Sequence, residues 1–243
     1  MKIAGVLALG GAVWAVGSLM SAPPASVRLA AYATPLQGRS SSQVHNARLA
    51  LEHLQGVVIE PGAEWSFNGT VGSLSRDEGF RKAPVSYNGT LIDDWGGGAC
   101  QTSTTLYNAA LLAGLEVVER HPHRFAPSYV PPGRDAAVAF SNIDLKLRNP
   151  HPYPVTLKGS IERERLTLSV WGPEPLSHQP LIVQDILGTQ KPITRTLEKP
   201  HSRPRVRNSG KPGTEVATYR VLGNQKQLLS VDSYPVMDRV VQN

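Results

Sequence analysis

An α+β fold is predicted for this 243-residue chain: a cysteine-bearing helix packed on an antiparallel sheet, followed by a small all-β C-terminal module. Three observations point there. Leu106, Ala109, Ala110 and Ala113 fall at i, i+3, i+4 and i+7 and line one helical face, with Gly114 as a stop signal. Residues 143–147 (IDLKL), 155–159 (VTLKG) and 166–170 (LTLSV) alternate with period two, as half-buried antiparallel strands do. From about residue 178 the chain turns basic: residues 178–243 hold 10 Lys plus Arg against 5 Asp plus Glu, net +5, while residues 1–177 hold 15 against 14, net +1. The divisions expected are 1–25, 26–176 and 177–243.

In chain order, Lys2 and the apolar run 3–20, followed by small residues and prolines at 21–25, read as a signal peptide or membrane anchor. Either outcome exports the remainder, and with no cysteine after the apolar run a lipoprotein anchor is not expected. Residues 27–33 suggest a strand. Residues 40–54 suggest a helix with Ser40 as its cap and Val44, Ala47, Leu51 and Leu54 at helical spacing. A short strand at 57–59 leads into a Pro-Gly turn, and 62–99 is rich in glycine and turn signals, as suits a loop-built site. After the cysteine helix, 115–120 (LEVVER) reads as a strand ending in His121-Pro122-His123, and a rigid loop at 129–135 precedes the apolar run 136–140. The proline- and arginine-rich stretch 199–207 opens two strand-like runs on either side of Gly223-Asn224, so the tail is expected to be separable.

The single cysteine, Cys100, cannot form an internal disulfide. It stands where Gly96, Gly97 and Gly98 run into the helix, so unpaired N–H groups and the positive end of the macrodipole favour its thiolate. The glycines would leave the sulfur accessible and let successive amides point at one oxyanion. A lone cysteine is more commonly a small buried hydrophobe. Against that stands the polar shoulder 101–105, from Gln101 to Thr105, which is unlike a core. A nucleophile needs a base, and His121 and His123 both sit on a corner that a returning strand would carry back toward the helix start. Asp135 could orient either ring, giving a Cys-His-Asp arrangement. The structural alternative for each histidine is a surface cap on backbone carbonyls. Trp95, Gln101 and Tyr129 would shape the pocket or simply pack. Cys100, His121 and His123 could also ligate zinc, but the paired spacings of such sites are missing, so neither metal nor cofactor is expected.

Residues 81–85 (RKAPV), 96–108 (GGGACQTSTTLYN), 120–123 (RHPH) and 133–138 (GRDAAV) resemble the signature blocks of the VanW family. So do 61–68 (PGAEWSFN), Val71-Gly72 and Gly79-Phe80; the resemblance runs from about residue 28 to 172. The family was named from glycopeptide-resistance gene clusters, and some members act as cysteine-dependent L,D-transpeptidases of peptidoglycan. The resemblance thus implies Cys100 as nucleophile, His123 ahead of the alternative His121 as base, and Asp135 as candidate orienter. Arg124 and Ala137 depart from the serine and threonine common in the family, without removing a proposed catalytic group. The tail resembles the G5-like β module that often follows.

The expectation is an exported envelope enzyme whose partners are peptidoglycan stem peptides and, for the basic tail, anionic wall polymers. Nucleic acid is excluded as a partner by export and by the lack of a recognisable binding motif, and a membrane is met only through the N-terminal segment. The competing reading is a non-catalytic module that binds wall material or glycopeptides. Amine and water would resolve the same acyl-enzyme, so crosslinking and hydrolysis are both open.

Overall fold

The computed structural model describes residues 26–87, 90–139, 142–198 and 205–242. The expected leader 1–25, Phe140 and residues 199–204 of the basic stretch lie outside them. The elements are β1 (Val27–Pro35), α1 (Ser41–Leu54), β2 (Val58–Ile59), β3 (Glu64–Ser66), α2 (Phe67–Val71), β4 (Lys82–Tyr87), β5 (Thr90–Trp95), α3 (Ala99–Leu112), β6 (Glu116–Glu119), β7 (Lys146–Arg148), β8 (Val155–Glu162) and β9 (Arg165–Gly172). Six strands follow: β10 (Leu181–Gln190), β11 (Thr194–Leu197), β12 (Arg205–Asn208), β13 (Gly213–Leu222), β14 (Gln225–Tyr234) and β15 (Arg239–Gln242). The α+β class holds, with sheets that are almost wholly antiparallel.

A four-stranded antiparallel sheet in the order β1-β9-β8-β2 forms the floor, and α1 and α3 lie on it and against each other. Leu157, Leu166, Leu168 and Val170 are fully buried there, as period-two alternation requires of the covered face. α1 starts on a capping box: the Ser40 side chain accepts from the Gln43 amide and the Gln43 side chain from the Ser40 amide. Its buried residues Ala47, Ala50, Leu51 and Leu54 recur at helical spacing.

α3 is buried on nearly every side, and here the structure departs from the expectation of a polar, non-core shoulder. Thr102, Ser103, Thr104 and Thr105 have no exposure. Each hydroxyl is satisfied inside: Thr102 donates to Ala47 O at 3.0 Å, Ser103 to Ala136 O at 2.7 Å and Thr105 to Gln101 O at 2.6 Å. Buried polar groups are tolerated when so paired. Small hydroxylated side chains also let α1, β1 and the loop after Asp135 approach the helix closely.

The stretch 62–99 is more ordered than its turn signals suggest, containing β3, α2 and the β4–β5 hairpin. A two-stranded hairpin has only edges, so Pro84 within β4 costs no internal ladder bond. β7 is shorter than the alternation at 143–147 implies, because Asp144 is drawn away from the ladder to bond Ser66 and the Asn68 amide. β3, β7 and β6 form a small second sheet. The C-terminal strands form two three-stranded sheets, β10-β13-β14 and β11-β15-β12, the latter with β11 parallel to β15.

Candidate functional site

α3 opens with the thiol in its first turn. Gly98 is the N-cap, at φ 115°, and no side chain caps the helix. A Cβ at Gly98 would lie 2.3 Å from the Gln43 carbonyl oxygen, and one at Gly97 would lie 2.8 Å from that of Ala83. These two glycines are therefore required where the chain passes against α1 and β4, which is a packing role. The Gly97 carbonyl is further held by Asn46 Nδ2 at 2.8 Å. Of the amides near the sulfur, that of Ala99 donates to Gly96 O at 2.9 Å and that of Gln101 to Gly98 O at 3.0 Å. Among the described residues the Cys100 N–H has no backbone acceptor. It is one helix-start donor that could meet an anion.

Cys100 is half-buried, and its sulfur lies against the Val138 peptide, 3.3 Å from its oxygen and 3.5 Å from its nitrogen. His123 holds Asp135 twice, through its ring Nδ1 at 2.7 Å and its backbone N–H at 2.6 Å, both to Oδ2. An ionised carboxylate only accepts, so Nδ1 carries the proton and Nε2 is left for the thiol. The imidazole acts on the Cys100 side chain as a neighbouring positive group. Burial pushes the Cys100 thiol up, but the His123 imidazole, with the Val138 backbone, outweighs it and holds the thiol below its ordinary range. Burial pulls His123 down, yet its bond to Asp135 and the neighbouring Cys100 raise it to about 10. Asp135 is pushed up by burial and held below the usual carboxylate range by His123, Arg120 and Tyr234. Thiolate, imidazolium and carboxylate stabilise one another in sequence.

Behind Asp135 stands a second rank of side chains. Its Oδ1 accepts from Arg120 Nη2 at 3.1 Å and from the Tyr234 hydroxyl. Arg120 Nε also donates to the Asp135 carbonyl at 2.6 Å, and its Nη1 pairs with Asp232. Tyr234 Oη accepts from the Gly133 amide at 2.9 Å. The reading of the sequence missed Arg120, Asp232 and Tyr234. Only Arg120 carried a signal, as the residue before the His-Pro-His corner; Asp232 and Tyr234 end an unremarkable strand. Two further contacts, Arg220 Nη1 to Leu115 O at 2.7 Å and Thr218 Oγ1 to Gly133 O at 3.3 Å, fasten the same C-terminal sheet to the core. These contacts tie the strands after residue 178 to the loop that carries Asp135 and to Leu115, just before β6.

The remaining expected site residues divide. Tyr129 points its hydroxyl at the Cys100 carbonyl, 3.4 Å away, with Arg39 over its ring at 4.9 Å. Both line a cleft of about 230 Å³ with Pro35, Gln37, Gly38 and Ser128. Burial raises the Tyr129 phenol above its ordinary value, so it stays a donor. Gln101 is buried and ties α3 to β1 through Thr34 Oγ1 at 3.0 Å and Pro35 O at 2.7 Å. Trp95 stands exposed at the end of β5 with the Lys82 ammonium over its ring at 5.6 Å. His121 pairs with Glu119 at 3.0 Å instead of with Asp135.

The VanW like protein family model matches residues 42–171. The uncharacterized protein YoaR of Bacillus subtilis (strain 168) is 36% identical over 143 residues, covering 59% of this chain and 47% of that protein. The vancomycin B-type resistance protein VanW of Enterococcus faecalis (strain ATCC 700802 / V583) is 33% identical over 113 residues, 44% of this chain and 41% of that protein. The matched part thus spans less than half the length of either relative. A solved G5 domain of IgA1 protease matches over 28% of this chain and 90% of that domain, at 17% identity and a TM-score of 0.19.

Proposed function

The chain belongs to the VanW family, and from that premise we propose that it is an extracytoplasmic envelope enzyme acting on peptidoglycan stem peptides through a Cys100 acyl-enzyme, as an L,D-transpeptidase. The observation that carries this reading is a thiol at a helix start whose ionisation is favoured by an imidazole that Asp135 holds through Nδ1. A purely binding module has no use for a buried carboxylate that raises an imidazole near a half-buried cysteine.

In the proposed reaction the Cys100 thiolate attacks a stem-peptide carbonyl carbon, forming a C–S bond. The Cys100 N–H, at the positive end of α3, faces the oxyanion. Collapse breaks the C–N bond, and the departing amine takes its proton from the His123 imidazolium. An amine of a second stem then attacks the thioester and gives its proton to His123, so a peptide bond forms and the thiolate is released. Water in place of the amine gives a carboxylic acid. The Tyr129 cleft meets the Cys100 backbone carbonyl through the Tyr129 hydroxyl, and Arg39 on its rim suits the carboxylate of a stem peptide. The basic C-terminal strands would add long-range attraction to anionic wall polymers.

Incubating purified sacculi or isolated muropeptides with the full chain, followed by mass spectrometry, tests the proposal. New crosslinks or trimmed stems that vanish with Cys100→Ser support it. Binding to sacculi without any change in the stems, equal in wild type and Cys100→Ser, favours the wall- or glycopeptide-binding module instead.

A further inference from the structure

The Cys100 site is not completed by the residues around it in sequence. Asp135 lies with no side-chain exposure and Arg120 with 5%, and the groups that finish their hydrogen bonding arrive from β14, 112 residues after Arg120 and 99 residues after Asp135. Tyr234 performs two tasks with one oxygen. It accepts from the Gly133 amide and donates to Asp135 Oδ1, clamping both the loop that carries Asp135 and the carboxylate itself. Asp232 takes Nη1 of Arg120 and is bonded in turn by Ser230 at 2.9 Å, so the guanidinium is stretched between two carboxylates and cannot rotate away from Asp135.

We propose that Tyr234 and Asp232 are positioning residues of the cysteine site: acting through Arg120 and Asp135, they fix the His123 ring toward Cys100, so the C-terminal sheet is part of the catalytic unit and not an appended binding module. The physical basis is the geometry of a carboxylate that must serve two faces. Oδ2 takes both His123 donors, and Oδ1 takes Arg120 and Tyr234. With the Oδ1 side held, the carboxylate plane is fixed and the Nδ1–H bond sets the ring angle. Released on that side, the carboxylate can turn and the ring follows it. A site buried at such a seam is built only when both parts of the chain are folded against each other.

This inference rests on the reading of Cys100 as a nucleophile, and its test separates the two. The pH profile of Cys100 alkylation by iodoacetamide, followed by mass spectrometry of the full chain, needs no substrate. In Tyr234→Phe, loss of positioning weakens the imidazolium's hold on the sulfur, so the half-maximal pH moves upward, and stem-peptide kcat falls about tenfold while KM changes less than about twofold. Simple removal of a donor from Asp135 would instead make the carboxylate more basic and move the profile downward. Asp232→Asn keeps an acceptor for Arg120 Nη1 and guards against misfolding of the first variant; its shift is expected upward and smaller. An unmoved or downward profile in folded variants overturns the inference. A wild type that never turns over stem peptides, yet shows the upward shift in Tyr234→Phe, leaves positioning standing and removes only the proposed function.

Discussion

Asp135→Asn is the perturbation that reads most of the site at once. The carboxylate receives the His123 amide at 2.6 Å, His123 Nδ1 at 2.7 Å, Arg120 Nη2 at 3.1 Å and the Tyr234 hydroxyl. Asparagine offers one oxygen and an NH₂ group that can only oppose donors, so at least one face of the residue is left with donors pointing at donors. Arg120, with 5% side-chain exposure, loses one of its two carboxylates. Breaking one side of a buried charge pair costs about 3–5 kcal/mol, and because Asp232 still holds the guanidinium we take the low end, about 3 kcal/mol. For a chain of this size each kcal/mol is about 2–4 °C, which gives a Tm lowered by about 6–12 °C near neutral pH. The sign with pH follows from Asp135 being held below its unfolded value: its contribution is present above about pH 3.9 and lost as pH falls through the lowered folded value. The gap between wild type and Asp135→Asn should therefore close in acid. Calorimetry across pH measures this. A variant within about a degree of wild type at pH 7, or a gap that widens in acid, would refute the picture of an ionised keystone at this position.

Other outcomes follow from the same geometry. Cys100 alkylation should reach its plateau rate below about pH 8, and His123→Ala should move that plateau upward, because the imidazolium is what offsets burial of the thiol; a thiol that reacts only on unfolding would make Cys100 a core residue. Gly98→Ala places a Cβ 2.3 Å from the Gln43 carbonyl at a φ of 115°, so α3 must shift from α1; loss of thiol reactivity together with a lower Tm is expected, and a fully active, equally stable Gly98→Ala would contradict the packing. Ser40→Ala removes one half of the α1 capping box and should cost about 1 kcal/mol without touching the alkylation profile; a changed profile there would mean that α1 is coupled to the sulfur more tightly than the contacts indicate.

How much of this was written in the sequence depends on the range of each interaction. α1 and the buried face of α3 come from spacing that any helix must obey, and the Ser40 cap from a bond spanning three residues, so all were legible. The strands β8 and β9 declared themselves by alternation. Cys100, His123 and Asp135 were legible for a different reason: a thiol, a ring and a carboxylate near turns are chemically conspicuous, and the resemblance to a family gave them an order. The full burial of Thr102 to Thr105 was not legible. Their hydroxyls are matched to backbone carbonyls such as Ala47 O and Ala136 O, and a carbonyl exists at every residue and so leaves no pattern.

The second rank around Asp135 was hidden by the same logic carried further. Tyr234 and Asp232 reach Asp135 and Arg120 across sequence separations of 99 and 112 residues, and isolated long-range hydrogen bonds produce no periodicity. What the sequence did offer was a change of charge near residue 178, which reads as a boundary between independent units. Composition reports on the solvated surface, where lysine and arginine sit, whereas the coupling of these strands to the site runs through a handful of buried groups that barely alter composition. A change in surface charge therefore says little about whether the buried seam beneath it is open. Here the seam is closed by Tyr234, with 2% exposure, and Thr218, with none, and the carboxylate that orients His123 is completed from the far side of it.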